Sequence, residues 1–297
     1  MGIKEINKFL IKNVKEGIKE RHLSCYRNKI VAIDVSIFLY RILYRNKDRH
    51  IGGFVNLISK LGKYNIQPIF VFDGKPPKEK REVLNGRKKN LEKIKNKIVN
   101  FQVKLDILNN MENGDENGDE NVVIINGNDD DSEDNVDSEK RESSDLSDSI
   151  MSTSSDDSIE NISNMSNDDK NKMKIDLEKK INKLNKKCIK IKNTHINDLK
   201  EFFDKLNIMY VHSNNMEADK VCASLVKTNY AYACISNDMD MLPFGCSRVL
   251  RDFNFYNHSI VEYNLSKIES SLGLSHEKFV DLCIMCGCDY NDKIIGL

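Results

Sequence analysis

Residues 29–40 read "KIVAIDVSIFLY", a short β-branched apolar run closed by Asp34 and followed at once by a change of period. The run over 29–34 has the length and composition of a buried strand. Residues 35–45 then place apolar side chains at helical spacing. A strand that passes directly into a helix is the unit from which α/β domains are built.

Working outward, four more stretches repeat the theme: "QPIFVFD" (67–73), "IMYVHS" (208–213), "YACIS" (232–236) and "RVLRDF" (248–253). Helical patterns lie between or after them, notably over 35–45, 51–64, 216–228 and 276–286. The alternation predicts an α/β fold with a mainly parallel central sheet flanked by helices. In such sheets ligands gather at the carboxyl ends of the strands.

The formal charge of the 297 residues is zero, yet the charge is segregated. Between Asn109 and Lys170 stand 20 acidic and 3 basic residues, which leaves 43 basic and 26 acidic residues elsewhere. The body is therefore basic, as suits a polyanionic partner such as nucleic acid. Low hydrophobicity, like charges and Ser/Asn/Gly bias predict disorder over 110–169. On one side of this insertion Leu84, Leu91, Ile94, Ile98, Phe101, Leu105 and Leu108 recur at helical spacing. On the other, Met173, Leu177, Ile181, Leu184, Cys188 and Ile191 do the same. Two basic amphipathic helices joined by an acidic tip predict a helical hairpin, either a protruding arch or a plain coiled-coil spacer.

The eight cysteines sit mostly in apolar runs and are read as reduced core thiols, and "CIMCGC" (283–288) lacks the second CxxC pair of a zinc site. No apolar run approaches the ~20 residues of a membrane span, so no membrane association is expected. Residue six is Ile, not the Ser/Thr of a myristoylation signal.

Acidic residues stand where the chemistry of such a sheet is expected. Asp34 and Asp73 end the first two strands, Asp238 and Asp240 follow the fourth, Glu217 and Asp219 open a helix, and Asp289 follows the last one. A single carboxylate at such a place is most often a helix N-cap. Four or more on one edge would repel one another unless a cation neutralised them, and an oxygen-only set suits Mg²⁺ or Mn²⁺. A carboxylate basin beside a basic surface fits metal-assisted phosphodiester hydrolysis. No GxxxxGK[ST] loop occurs, which excludes a P-loop nucleotide site.

Six segments carry a resemblance: "MGIKEINKFL", "VAIDVSIFLY", "PIFVFDGKPPKEKREVLNGRKKN", "EADKVCASLVK", "ISNDMDMLPFG" and "EKFVDLCIMCGCDYNDKIIGL". Together they span nearly all of the chain outside the insertion, and the chain resembles the flap endonuclease/XPG (Rad2-type) family of structure-specific 5′ nucleases. The resemblance implies a PIN-like 5′ nuclease fold in three parts. These are an N-terminal part with the first arch helix (1–109), the acidic insertion (110–169), and the second arch helix with the internal nuclease part (170–297). It implies a flap endonuclease or 5′–3′ exonuclease of DNA replication or repair, holding two Mg²⁺ per site with Mn²⁺ as a substitute. Asp34, Asp73, Glu217 and Asp219 would surround one metal, and Asp238, Asp240 and Asp289 the other, with Asp219 between. Lys80 and Arg87, expected to share one helix face, would engage the scissile phosphate. Gly2, Tyr40, Lys78, Arg81, Lys88 and Lys89 would contact DNA, Tyr40 by stacking on a base and Gly2 through its amine.

Partners implied are DNA with 5′ flaps or 5′ ends, bound by a monomer, in the nucleus by the family default, with a viral factory, the cytoplasm or a mitochondrion as alternatives. The chain departs from the family pattern at Asp219, where many members have Glu, at Pro243, and in the length of the acidic insertion. It ends at "KIIGL", before the helix–two-turn–helix element and the clamp-docking peptide, so weak duplex binding and no sliding-clamp contact are expected. Two other readings are a catalytically impaired DNA-binding or scaffold fragment and a PIN-type RNase.

Overall fold

The computed structural model describes residues 2–3, 5–14, 16–46, 49–113, 166–214, 216–289, 291 and 294. The chain divides into two compact units, Met1–Asn90 with Ile189–Leu297, and Leu91–Cys188.

The first unit is built on a seven-stranded sheet. Its strands are β1 (Ile18–His22), β2 (Ile30–Asp34), β3 (Gln67–Phe72), β4 (Tyr210–His212), β5 (Ala233–Ile235), β6 (Arg248–Arg251) and β7 (Ser259–Asn264), in the order β1-β7-β6-β5-β2-β3-β4. Strands β6, β5, β2, β3 and β4 are parallel, whereas β7 and β1 add an antiparallel edge. The expected parallel sheet is present, and the two antiparallel strands are an addition. β1 escaped the sequence because "IKERH" has no buried alternation, only Ile18 being even half-buried. A charged outer strand of this kind also discourages edge-to-edge pairing.

Helices α1 (Ile6–Asn13), α2 (Val35–Arg45) and α3 (His50–Gly62) belong to the N-terminal half. α4 (Arg81–Asn113) and α5 (Asn167–Lys187) flank the insertion. α6 (Asn193–Lys205), α7 (Ala218–Lys227), α8 (Leu265–Leu272) and α9 (His276–Met285) complete the set. The central strands are apolar throughout because both sheet faces are covered, and side chains alternate between two cores. Ala32, Val71, Cys234 and Val249 face one core with α1, α7, α8 and α9. Val31, Ile33, Phe70, Phe72, Ala233, Ile235 and Leu250 face the other, with α2, α3 and α6. There Phe203 of α6 stacks on Phe70 with ring centroids 4.4 Å apart, so truncating Phe203 to Ala should cost roughly 3–5 kcal/mol.

In the second unit α4 and α5 carry the predicted stripes. Leu108 and Leu177 are buried against Phe101, Leu105 and Met173. Of the disorder expected over 110–169, residues 114–165 lie outside the described residues. The borders differ from expectation: α4 continues to Asn113, and α5 begins at Asn167, where Ser166 caps it by accepting from Asp169 N at 3.2 Å. Asp168 and Asp169 then sit in the first helical turn, where the helix dipole favours negative charge. This is why the helix extends into the acidic tract.

Candidate metal and phosphodiester site

The acids converge because three elements end at one edge. Asp34 closes β2 and caps α2, its Oδ1 accepting from Ser36 N at 2.9 Å. Ser36 Oγ in turn donates to Asp73 Oδ2, just past β3, and Asp73 Oδ1 accepts from Ala218 N at 2.8 Å in the first turn of α7. One serine thus locks β2 to β3, and one aspartate locks β3 to α7. Glu217 is the N-cap residue of α7, and Asp219 lies in its first turn. Beyond β5, Asp238 caps a short 3₁₀ turn (Met239–Met241) by accepting from Asp240 N at 3.1 Å, and Asp238 N donates to buried Ser236 Oγ.

Burial raises the Asp34 carboxyl to about 7, with the charge of Asp73 adding to the effect. Burial also lifts Asp240 to about 7, followed by the charges of Asp238 and Asp289. Asp219 is pushed well above its ordinary range by burial and then by Asp34, Asp238, Asp73 and Asp240. These mutual effects show that the carboxylates share one field, as expected if they face a common basin.

Two cations reach the same edge. Lys80 Nζ donates to Glu217 Oε1 at 2.6 Å and lies 2.9 Å from Asp289 Oδ2, while Arg87 NH2 lies 3.1 Å from that oxygen. Lys80 lies in the 3₁₀ turn Lys78–Lys80 after Pro76 and Pro77, not on a helix face with Arg87 as the spacing predicted. The two still meet, through Asp289. Lys78, Arg81, Lys88 and Lys89 are exposed, and Tyr40 is exposed on α2.

Among the described residues no three His, Cys, Asp or Glu form a closed metal-binding group. The donor set nevertheless suits a hard divalent cation. It is all oxygen, its members repel one another, and Asp240 Oδ1 is buried without a hydrogen-bond partner. Asp34, Asp73, Glu217, Asp219, Asp238, Asp240 and Asp289 are the residues that could hold it.

Gly2 lines the basin with φ of 84°, and a Cβ there would overlap the Asp238 carboxylate and stand 2.8 Å from Asp240 Oδ1. Pro243 lines an apolar pocket beside Asp240 with Ile3, Phe244, Val280, Cys283 and Ile284. All eight cysteines are free, and Cys222, Cys234, Cys246 and Cys283 are buried, as core thiols should be. Sequence reasoning missed Ser36, although a D-x-S at a strand-to-helix junction is the signature of a capped turn. It also missed buried Arg251, which donates to Asn7 Oδ1 at 2.8 Å beneath the Asp238–Asp240 turn.

The chain matches the XPG N-terminal domain over residues 1–94 and the XPG I-region over residues 207–289. Flap endonuclease 1 of Entamoeba dispar is 28% identical over the whole chain, which spans 64% of that protein's length. Flap endonuclease 1 of Encephalitozoon cuniculi is also 28% identical over the whole chain, which spans 70% of it. Among solved structures, the catalytic core of Rad2 in complex with DNA substrate superposes with a TM-score of 0.59 at 19% identity, over 100% of this chain and 65% of that one. Flap endonuclease-1 from Methanococcus jannaschii gives 0.52 at 18% identity, over 96% and 72%. The structural likeness shows the PIN-like nuclease fold. With the N-terminal domain and the I-region both matched, on either side of the acidic insertion, the chain belongs to the XPG family.

Proposed function

We propose that this chain is a divalent-metal-dependent, structure-specific 5′ nuclease that hydrolyses phosphodiester bonds in DNA bearing 5′ flaps or 5′ ends. Its setting would be replication or repair, in the nucleus. The observation that carries the reading is the meeting of seven carboxylates with Lys80 and Arg87 at one sheet edge. The relatives named flap endonuclease 1 and the DNA-bound Rad2 core favour this substrate class.

In this reading Asp34, Asp73, Glu217 and Asp219 would hold one Mg²⁺, and Asp238, Asp240 and Asp289 a second, with Asp219 contributing to both; Mn²⁺ would substitute. Bound there, such ions would supply Lewis-acid charge to the scissile phosphate and lower the pKa of an attacking water. Lys80 and Arg87 would exchange Asp289 for phosphate oxygens as substrate arrives, which adds fixed positive charge where the leaving oxygen develops negative charge. Tyr40 offers an exposed ring for a neighbouring base. Lys78, Arg81, Lys88 and Lys89 grip the backbone without reading sequence.

The test is cleavage of labelled 5′-flap, nicked and blunt DNA, with and without Mg²⁺, by the parent and by Asp238→Asn. Mg²⁺-dependent release of 5′ fragments from the flap substrate, lost in Asp238→Asn, is the expected result. A parent inactive on all three substrates would leave a DNA-binding scaffold as the better description.

A further inference from the structure

We infer that the molecule carries a second phosphate-binding site, remote from the carboxylates, formed by Lys60, Lys63, Tyr64, His22 and His258. Lys60 lies in the last turn of α3, and Lys63 and Tyr64 form the turn that leads into β3. They therefore stand at the amino end of the parallel strands. The six residues of β3 put Asp73 about 20 Å away, at the other end.

His258 is the centre of the group. Its Nε2 lies 3.3 Å from Lys60 Nζ, and its Nδ1 lies 2.7 Å from the Tyr64 hydroxyl. An ammonium can only donate, so Nε2 must offer its lone pair and Nδ1 must carry the hydrogen. That hydrogen goes to the Tyr64 oxygen, and the Tyr64 hydroxyl hydrogen is left for another acceptor. The His22 ring stacks on His258 with centroids 6.1 Å apart and meets the Tyr64 ring edge-on at 5.4 Å, and Lys63 Nζ stands over the Tyr64 ring at 5.8 Å. Among the described residues none of Lys60, Lys63, His22 and His258 pairs with a carboxylate. Two ammonium groups and two imidazoles are thus gathered without a counter-charge. Desolvation, then Lys60, Lys63 and His22, hold the His258 imidazole below its ordinary value.

What this arrangement lacks is a multivalent oxygen acceptor, and a phosphate supplies one. Lys60 and Lys63 would give it charge and Tyr64 a neutral hydrogen bond. His258, once protonated, would add a third charged donor. The source we assign is a nucleic-acid backbone, because the surface continues the pattern beyond one phosphate. Lys29, directly before β2, lies 4.9 Å from the Tyr232 ring, directly before β5, and Arg248, opening β6 and 3.8 Å from Glu262 Oε2, lies 4.1 Å from the same ring. Asn28 N, next to Lys29, donates to Tyr64 O at 3.4 Å, so the two groups adjoin. Alternating cations and aromatic rings along an open edge suit a repeating phosphodiester better than a lone anion. This site is independent of the proposed nuclease chemistry.

The experiment follows the imidazole C–H resonances of His22 and His258 against pH in the full chain, in EDTA. The additions are inorganic phosphate in one arm and a single-stranded thymidine oligonucleotide in the other, and His258→Asn assigns the resonance. The oligonucleotide should raise the His258 pKa by about one unit, since a neighbouring anion favours the charged imidazole. The double variant Lys60→Gln/Lys63→Gln should abolish that rise and weaken oligonucleotide binding at low salt by roughly tenfold. Lys63→Gln alone, on an exposed side chain, serves if the double variant does not fold. The rise should persist in Asp238→Asn, which separates this site from the carboxylate basin. A response to inorganic phosphate and not to the oligonucleotide would overturn the backbone assignment, and a response to neither would overturn the site.

Discussion

Lys80 Nζ lies 2.9 Å from Asp289 Oδ2, although the two residues enter the site from opposite ends of the chain. The ammonium also holds Glu217, and both acids are mostly buried, with side-chain exposures of 14% for Glu217 and 13% for Asp289. Desolvation alone would lower the Lys80 pKa, but the hydrogen bonds to Glu217 and Asp289 more than offset it and leave Lys80 firmly charged. In the proposed reading Lys80 would therefore be both a phosphate ligand and a competitor for the metal. Lys80→Ala should therefore split two measurements that usually move together. Mn²⁺ affinity, followed calorimetrically, should rise because the competing ammonium is gone, while flap cleavage falls by ~10²-fold or more. Loss of both affinity and activity would show that Lys80 merely supports the site.

A second prediction concerns pH. Asp34 and Asp240 titrate near 7 in the folded chain, against an ordinary value of 3.8. Between these values the native state binds more protons than the unfolded one, so stability is full below about pH 4 and is lost as pH rises through 7. In EDTA the parent should melt at a lower temperature at about pH 8 than at about pH 5. Asp240→Asn should remove part of that loss, and Mg²⁺ should stabilise the parent far more at the higher pH. A variant whose melting temperature follows the parent at both values would contradict the shared-field account.

How much of this was readable from the residues alone follows from which physical signals are local. The end of β2 was legible because "IVAI" is a β-branched apolar run and Asp34 is the polar residue that closes it, although the structure buries Asp34 as well. The same holds for "IFVFD" and for "ACIS" before Asp238 and Asp240. β1 was illegible because its partner β7 supplies the pairing while its own side chains face water. The position of Lys80 was misread because period alone ignores Pro76 and Pro77, which delay the helix to Arg81. Ser36 was passed over because its role depends on Asp73, a residue of another strand. Long-range tethers of this kind leave little local trace.

Ser36 supports a third prediction. Its backbone N–H orients Asp34 and its hydroxyl orients Asp73, so it positions two candidate ligands without touching the reacting bond. Ser36→Ala keeps the first contact and loses the second. Mn²⁺ affinity and cleavage at limiting metal should fall by roughly 10- to 100-fold. Excess metal should restore much of the rate, and Ser36→Thr should behave like the parent. A loss that no metal concentration restores would point to a collapsed fold instead.

The last prediction separates backbone grip from chemistry. Lys88 and Lys89 are exposed on the first turns of α4, on the side of the chain that also delivers Arg87 to Asp289. If they contact phosphates, each releases about one condensed counterion on binding, so log Kd depends on log salt with a slope set by the number of contacts. Replacing both by Gln should reduce that slope by ~2 on a duplex-containing flap and weaken binding equally for any sequence. Because, among the described residues, neither lysine pairs with a site carboxylate, the rate at saturating DNA should stay within about twofold of the parent, whereas Arg87→Gln should lower that rate. An unchanged salt slope would exclude both lysines from the DNA path, and a reduced saturating rate would move them into the reacting centre.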